Sequence, residues 1–285
     1  MIYAVTCADD NYMPYACFQM ETAKKYGKVD KTVIYNLNEI DTSFRKKNIS
    51  IFEAGGMRRK GCYLWKPYFL NKAMQQLQTG DYMVYLDAAG NYYRSKVSET
   101  VRFMEKYNVE IVCSRRNPYK EKHWTKRDAF ILMGCDMNKY AEQKQCYGGF
   151  LIVKKSKCTI EILNKWLEYA QDYRIITDAP NTCGEKNYEG FVEHRFDQSI
   201  LSLLLAKYGV AIMEELPVPD FYVYHHTMKT SVKDVKKELR NRRRKLIRFY
   251  IDKKDYKGVY YTIREELGDL YYIQRIMKRR FARNL

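Results

Sequence analysis

The run Tyr82-Met83-Val84-Tyr85-Leu86, closed by Asp87 and followed by the small residues Ala88, Ala89 and Gly90, most constrains what this chain can fold into. Five consecutive apolar or aromatic residues leading into a turn read as a buried strand. In an open α/β sheet, ligands sit beyond the carboxyl ends of the strands. Asp87 therefore stands where a carboxylate either caps the turn or meets a metal or a polar ligand.

The rest of the chain supplies the layers around that strand. Met1 to Cys7 reads as a first strand, Met13 to Tyr26 as a helix stopped by Gly27, and Lys31 to Tyr35 as a second strand. Strand, helix, strand is the opening of a parallel sheet with right-handed crossovers. Further strands are expected at Val109 to Cys113, Gly148 to Val153 and Ala211 to Met213. Helices are expected at Tyr68 to Gln78, Thr159 to Ala170 and Asp197 to Tyr208.

Charge divides the chain. The formal net charge of +17 calls for an anionic partner: nucleic acid, a phosphorylated substrate or an acidic membrane surface. From Lys233 to Leu285 there are 18 Lys and Arg against 7 Asp and Glu, a net +11, so most of the excess lies in that tail. The expected division is a folded unit at 1–232 and a basic helical extension at 233–285. The extension either packs on the domain or meets a membrane surface or partner. The eight cysteines include no C-x-x-C pair, which argues against zinc and for a reducing, cytoplasmic compartment. No apolar run is long enough to span a bilayer, so any membrane contact is expected to be peripheral, on the inner face.

Three other clusters bear polar chemistry. Asp9, Asn11 and Tyr12 follow the first strand, where they either cap the next helix or read a nucleobase. Arg58, Arg59, Lys60 and Lys66 sit in a glycine-flanked stretch, either solvated or poised to neutralise a diphosphate. His194 to Ser199 opens an apolar helix, and its Asp197 is also a candidate cap. His225 and His226 follow Pro217 and Pro219; adjacent side chains point apart, so at most one is expected to bind a metal.

Taken in order, these residues resemble the family 8 glycosyltransferases. Cys7-Ala8-Asp9-Asp10-Asn11-Tyr12 is similar to their first-strand motif, Tyr85-Leu86-Asp87 to their Asp-x-Asp strand, and Gly148 to Ile152 to the strand that contacts the sugar. Asp197-Gln198 resembles their Asp-Gln pair near the anomeric centre, and Tyr224-His225-His226 their late metal-binding histidine. Gly61 to Pro67 and His194 to Ser199 also look like a bacterial group of polysaccharide glycosyltransferases. The resemblance covers roughly residues 1–230. It departs at Ala89, where the second Asp of Asp-x-Asp is expected, and at Tyr147, where an Asn is common.

The resemblance implies a GT-A fold: a Rossmann-like α/β unit with a mixed, mostly parallel sheet flanked by helices. It implies a retaining enzyme using a nucleotide-sugar donor, with UDP as the nucleotide, and a saccharide or lipid-linked saccharide acceptor in surface polysaccharide synthesis. Thr6, Ala8, Asp9, Asn11 and Tyr12 would hold the nucleotide, with Arg58 and Arg59 at the phosphates. Asp87 with His225 or His226 would hold Mn²⁺ or Mg²⁺, a set that Ala89 weakens by one ligand. Gln198, Asp197 and Lys66 would be the catalytic residues, Lys66 adding positive charge at the diphosphate. An inverting route would need a carboxylate base, for which Asp128 and Glu193 are candidates. The rival readings are a basic nucleic-acid-binding protein, for which no recognition motif is found, and a catalytically silent relative. A nucleotidyltransferase is disfavoured because the loop after the first strand lacks glycine.

Overall fold

The computed structural model describes residues 1–54, 60–88, 91–113, 120–211, 222–224 and 251. Its first half runs β1 (Ile2–Ala8), α1 (Met13–Thr22), β2 (Lys31–Asn36), α2 (Thr42–Lys47), α3 (Ile49–Ala54), α4 (Trp65–Gln76), β3 (Tyr82–Leu86), β4 (Asn91–Tyr93), α5 (Ser98–Lys106) and β5 (Ile111–Val112). It continues with α6 (Glu121–Trp124), α7 (Arg127–Leu132), α8 (Asn138–Ala141), β6 (Phe150–Lys154), α9 (Lys157–Ala170), α10 (Tyr173–Ile176), α11 (Phe196–Lys207) and β7 (Tyr222–Tyr224).

Five strands form one sheet in the order β2-β1-β3-β6-β5. β1 pairs parallel with β2 and β3, whereas β6 is antiparallel to both β3 and β5. Four strands thus share one direction and β6 opposes them. This is the mixed, mostly parallel sheet flanked by helices that the sequence predicts. Its parallel register, Val5 opposite Tyr85 and Ala8 opposite Asn36, brings the carboxyl ends of β1, β2 and β3 to one edge. The antiparallel register of β3 and β6, Leu86 opposite Phe150, brings the residues before β6 to that same edge.

Alternation along each strand fills two cores, because successive side chains point to opposite faces. Tyr82, Val84, Leu86, Phe150 and Ile152 face one side, with Met20 of α1 and Val101 and Met104 of α5. Met83, Tyr85, Leu151 and Val153 face the other, under α4, α9 and α11. Helix α9 starts at a capping box in which Ser156 accepts from Thr159 N and Thr159 Oγ1 accepts from Ser156 N. Its buried stripe Thr159, Ile162, Leu163, Trp166 and Ala170 has helical spacing. Asn71 Nδ2 of α4 donates to Leu163 O at 2.7 Å, and Trp166 Nε1 donates to Asp197 O at 3.0 Å. These bonds fix α4, α9 and α11 as one layer behind the sheet edge.

Some boundaries differ from expectation. The helix expected from Tyr68 begins at Trp65, because Pro67 fits a first turn, where no N–H is needed. The strand expected at Val109 to Cys113 pairs only at Ile111 and Val112. The two-stranded ladder β4-β7 carries no strong apolar run and was not anticipated. Ile212 and Met213 of the last expected strand, and the 233–285 extension apart from Ile251, lie outside the described residues. Among the described residues no helix is long and apolar enough to cross a membrane.

The turn before α4 is left-handed over three residues, Gly61 (φ 61°), Cys62 (φ 49°) and Tyr63 (φ 61°). A side chain at Gly61 would also run into the Phe52 ring. Gly61→Ala is therefore expected to cost at least about 1–2 kcal/mol, the left-handed penalty alone. A urea titration checks this; an unchanged midpoint would show that the turn can be rebuilt without glycine.

Candidate functional site

The site lies at the shared strand edge. Tyr85 and Asp87 are two residues apart and so share a face, the one covered by α4. Tyr85 Oη donates to Asp87 Oδ1 at 2.5 Å. The Asp87 backbone is held on all sides: its N–H donates to Gly149 O at 3.0 Å, and its carbonyl accepts from Gln19 Nε2 at 2.9 Å and Asn91 Nδ2 at 2.8 Å. Gly149 must lack a side chain here, since a Cβ would stand 2.7 Å from Asp87 Oδ2 and 2.6 Å from the Tyr147 hydroxyl.

Lys66, in the first turn of α4, points into this edge and is 4% exposed. Its ammonium lies 3.0 Å from Asp197 Oδ2 and 3.3 Å from Asp87 Oδ1, and donates to Gly148 O at 3.1 Å. The rings of Tyr63, Trp65 and Tyr85 surround it at 5.6–5.8 Å. Two carboxylates and a carbonyl thus surround the ammonium. Burial pulls the Lys66 value down, but Asp197 and Asp87 more than reverse this and hold it protonated. Burial pushes the Asp197 carboxyl up to about 6, against the lowering effect of Lys66.

Asp197 and Gln198 are delivered by the first turn of α11, entered through a left-handed Phe196 (φ 51°). Gly148 N donates to Gln198 Oε1 at 3.0 Å, and Gln198 Nε2 donates to Gln145 Oε1 at 2.7 Å. Lys66, Asp87, Asp197 and Gln198, expected from separate motifs, thus meet in one cluster. Lys66 sits there between the two carboxylates, in an ion pair with each.

At the end of β1 the expected nucleotide residues divide. Thr6 is buried and its Oγ1 donates to Leu86 O at 2.7 Å, while Ala8 packs with Ala16 and Ala88. Both lie inside the sheet edge. Asp9 Oδ1 accepts from Tyr12 N at 3.0 Å in the turn before α1, whose N-cap, Tyr12, makes no side-chain capping bond. Asn11 is exposed and Tyr12 half-buried at the same edge. Asp10 accepts from Asn36 Nδ2 at 3.0 Å and Asn38 Nδ2 at 3.2 Å, joining the loops after β1 and β2.

The candidate bases for an inverting route are committed elsewhere. Asp128 accepts from Thr182 N, Thr182 Oγ1 and Cys183 N at 2.7–3.0 Å, and these donors hold it below the usual range although burial opposes them. Glu193 pairs with Arg195 at 3.0 Å. His194 is buried, its Nδ1 accepts from Lys126 N at 3.2 Å, and burial with nearby Lys126 pushes it down to about 3, so it is a neutral structural imidazole.

Arg58, Arg59, Ala89, His225 and His226 lie outside the described residues. Among the described residues no three His, Cys, Asp or Glu side chains group to hold a metal. Asp87 Oδ1 is also already engaged by an ammonium and a phenol. The described residues therefore do not fit a divalent metal by themselves. Sequence reasoning missed Gln19, Gln145 and Glu121. Gln19 had a signal, a polar residue inside the buried stripe of α1; the short helices between 121 and 141 offered none.

No protein-family model matches the chain, and no curated protein matches it. Solved structures do. A galactosyltransferase, LgtC, in complex with donor and acceptor sugar analogs aligns over 79% of this chain and 87% of that one, at 14% identity and a TM-score of 0.42. An active-site mutant of LgtC aligns over 84% and 95%, at 11% identity and a TM-score of 0.43. Xyloside xylosyltransferase 1 of mouse, in its apo form, aligns over 75% and 85%, at 9% identity and a TM-score of 0.40. At such identities and scores, the function of this chain rests on its own residues.

Proposed function

We propose that this chain is a glycosyltransferase that moves a sugar from a nucleoside-diphosphate sugar, with UDP as the nucleotide, to a hydroxyl of a saccharide acceptor. The observation that carries this reading is the convergence of Asp87, Asp197 and Gln198 around the buried Lys66 ammonium at the strand edge. Glycosyl transfer separates an anionic diphosphate from a sugar carbon that gains cationic character, so preorganised electrostatics is the main demand on the site. Carboxylates and an amide oxygen are acceptors. They suit sugar hydroxyls and a carbon gaining positive charge. Asp197 and Asp87 bind the sugar hydroxyls, and Gln198 Oε1 stands beside the anomeric carbon. The base and ribose lie over Asp9, Asn11 and Tyr12. Arg58 and Arg59 meet the diphosphate; a Mn²⁺ or Mg²⁺ ion, if bound, would be held by Asp87 with His225 or His226 and would supply further positive charge.

Retention is supported by the commitments of the carboxylates. Asp87 and Asp197 share Lys66, Asp128 anchors a loop and Glu193 pairs with Arg195, so none is poised as a base. The acceptor oxygen bonds to the anomeric carbon, the bond from that carbon to the diphosphate oxygen breaks, and the acceptor proton passes to the departing phosphate. The basic 233–285 tail would place the enzyme at an anionic membrane surface, where a lipid-linked acceptor of a surface polysaccharide is within reach.

A thermal-shift titration with UDP, GDP, CDP and ADP, each with Mn²⁺, Mg²⁺ or EDTA, tests the donor. A ligand specific to the folded state raises its apparent stability. A UDP-selective rise is expected, its metal dependence deciding between ion and arginines; no shift with any nucleotide would overturn the reading. Asp87→Ala and Gln198→Ala should each lower transfer from UDP-sugars by about 100-fold or more, with far-UV circular dichroism unchanged. The Lys66 cluster makes a separate prediction. Removing one partner of a buried ion pair costs about 3–5 kcal/mol. Lys66→Met should show that loss at pH 8. Lys66 lowers the Asp197 value, so in the variant that value rises above the wild-type value of about 6; the variant's folded state then takes up its proton at higher pH and gains more on acidification than the wild type, and the deficit should shrink as pH falls to 5. Urea midpoints at the two pH values check it; a deficit that grows on acidification would refute the charge argument.

A further inference from the structure

We propose that Glu121, acting through Gln145, is a positioning residue that fixes which end of the Gln198 amide faces the donor sugar. The hydrogen-bond chain runs from the site into the core. Gly148 N donates to Gln198 Oε1 at 3.0 Å, Gln198 Nε2 donates to Gln145 Oε1 at 2.7 Å, and Gln145 Nε2 donates to Glu121 Oε1 at 3.0 Å. Glu121 is fully buried in the first turn of α6. Thr125 Oγ1 also donates to its Oε1 at 2.5 Å, and Ser202 Oγ donates to its Oε2 at 2.6 Å.

The direction of every bond is forced. A backbone N–H can only donate, so the Gln198 atom facing Gly148 is oxygen and the atom facing Gln145 is the amino group. Gln145 must then present its own oxygen to Gln198 and its amino group to Glu121, the nearest of its acceptors, with Thr125 Oγ1 and Ser199 Oγ at 3.3 Å and Trp124 O at 3.5 Å. At the far end Ser202 Oγ accepts from Cys146 N at 3.0 Å, so its proton goes to Glu121. The two backbone donors, Gly148 N and Cys146 N, thus drive all the polarity toward one carboxylate that accepts on both oxygens. An acceptor-only group is what closes such a chain.

Replacing that group reverses the chain. An amide at position 121 turns its amino group either toward Ser202, which must then rotate its hydroxyl proton away from residue 121, or toward Gln145. In the second case Gln145 flips, Gln198 flips after it, and an amino group faces Gly148 N–H. The reversed Gln198 offers hydrogens where an oxygen is needed beside a carbon gaining positive charge. Burial pushes the Glu121 carboxyl up to about 7 against the lowering effect of Ser202, Thr125 and Gln145, so the group is the acceptor-only carboxylate that the chain requires above that pH, where the test is made.

This inference rests on the transferase reading, and its test separates the two. In the full-length protein, Glu121→Gln is expected to lower kcat with a UDP-sugar by about 100-fold, the scale of a misplaced group, with the donor KM little changed. Gln145→Glu alone, which sets two acceptors against each other, should lose activity similarly. The double variant Glu121→Gln with Gln145→Glu restores the polarity: the residue 121 amide donates to the residue 145 carboxylate, which still accepts from Gln198, and Thr125 rotates to accept. It should recover most of kcat, where two merely structural losses would add. The Gly148 amide cross-peak in ¹⁵N–¹H spectra should shift in each single variant and return in the double. Wild-type protein inactive with every donor, but with the Gly148 peak behaving as described, defeats the transferase reading and leaves the relay. Additive losses, or a Gly148 peak indifferent to Glu121→Gln, overturn the relay.

Discussion

A lysine ammonium buried between two carboxylates is the interaction on which the rest of this structure depends. Taking an ammonium out of water carries a desolvation penalty of several kcal/mol, and it is tolerated only where geometry and partners are complete. Here they are: Asp87 and Asp197 form ion pairs with Lys66, and the Gly148 carbonyl accepts a hydrogen bond from it. Each partner arrives from a different element, the end of β3, the start of α11 and the residue two before β6. The ammonium therefore pins the sheet edge to the helical layer at the one place where the strands end. It also lets two acids stand in one site, since two bare carboxylates there would hold a proton between them.

Delivering those groups strains the backbone. α4 is launched from the left-handed turn Gly61-Cys62-Tyr63, and α11 from the left-handed Phe196. Non-glycine residues in that conformation cost about 1–2 kcal/mol each. The strained residues touch: the Tyr63 and Phe196 rings are 5.9 Å apart, and the Tyr63 ring also lies 5.7 Å from the Lys66 ammonium. Strain held by surrounding packing, clustered around convergent polar groups, is the pattern of a functional site. Trp166, buried behind α11, ties the Asp197 carbonyl to α9 and keeps the helix start from relaxing.

The central strands and the polar residues at their ends were legible because they are local signals. The runs at Ile2, Tyr82 and Phe150 are apolar over a strand's length, and each ends beside a polar or glycine residue that the register then brings to one edge. Asp87 and Asp197-Gln198 were legible for the same reason, as acids at element ends. What the sequence hid is pairing. Nothing local distinguishes a Lys66 that faces a phosphate from one buried against Asp197, since the two residues meet only through the packing of α4, α9 and α11. Glu121 was hidden more deeply: a glutamate in a short helix among Lys120, Lys122 and His123 reads as surface, and only the converging donors reveal it as core.

The charges of the cluster then divide the labour of the site. One ammonium and two carboxylates sum to −1 above pH 6 and approach neutrality as Asp197 takes up a proton near that value. Such a cluster does not attract a diphosphate; it suits hydroxyl donors and a carbon gaining positive charge. On the proposed transferase reading, the cations for the phosphates therefore come from outside it. The chain carries a net +17, of which +11 lies beyond Val232. A field of that sign draws anionic ligands and surfaces toward the protein from a distance. Long-range attraction and short-range positioning are thus assigned to different parts of the chain, and the buried lysine belongs wholly to the second.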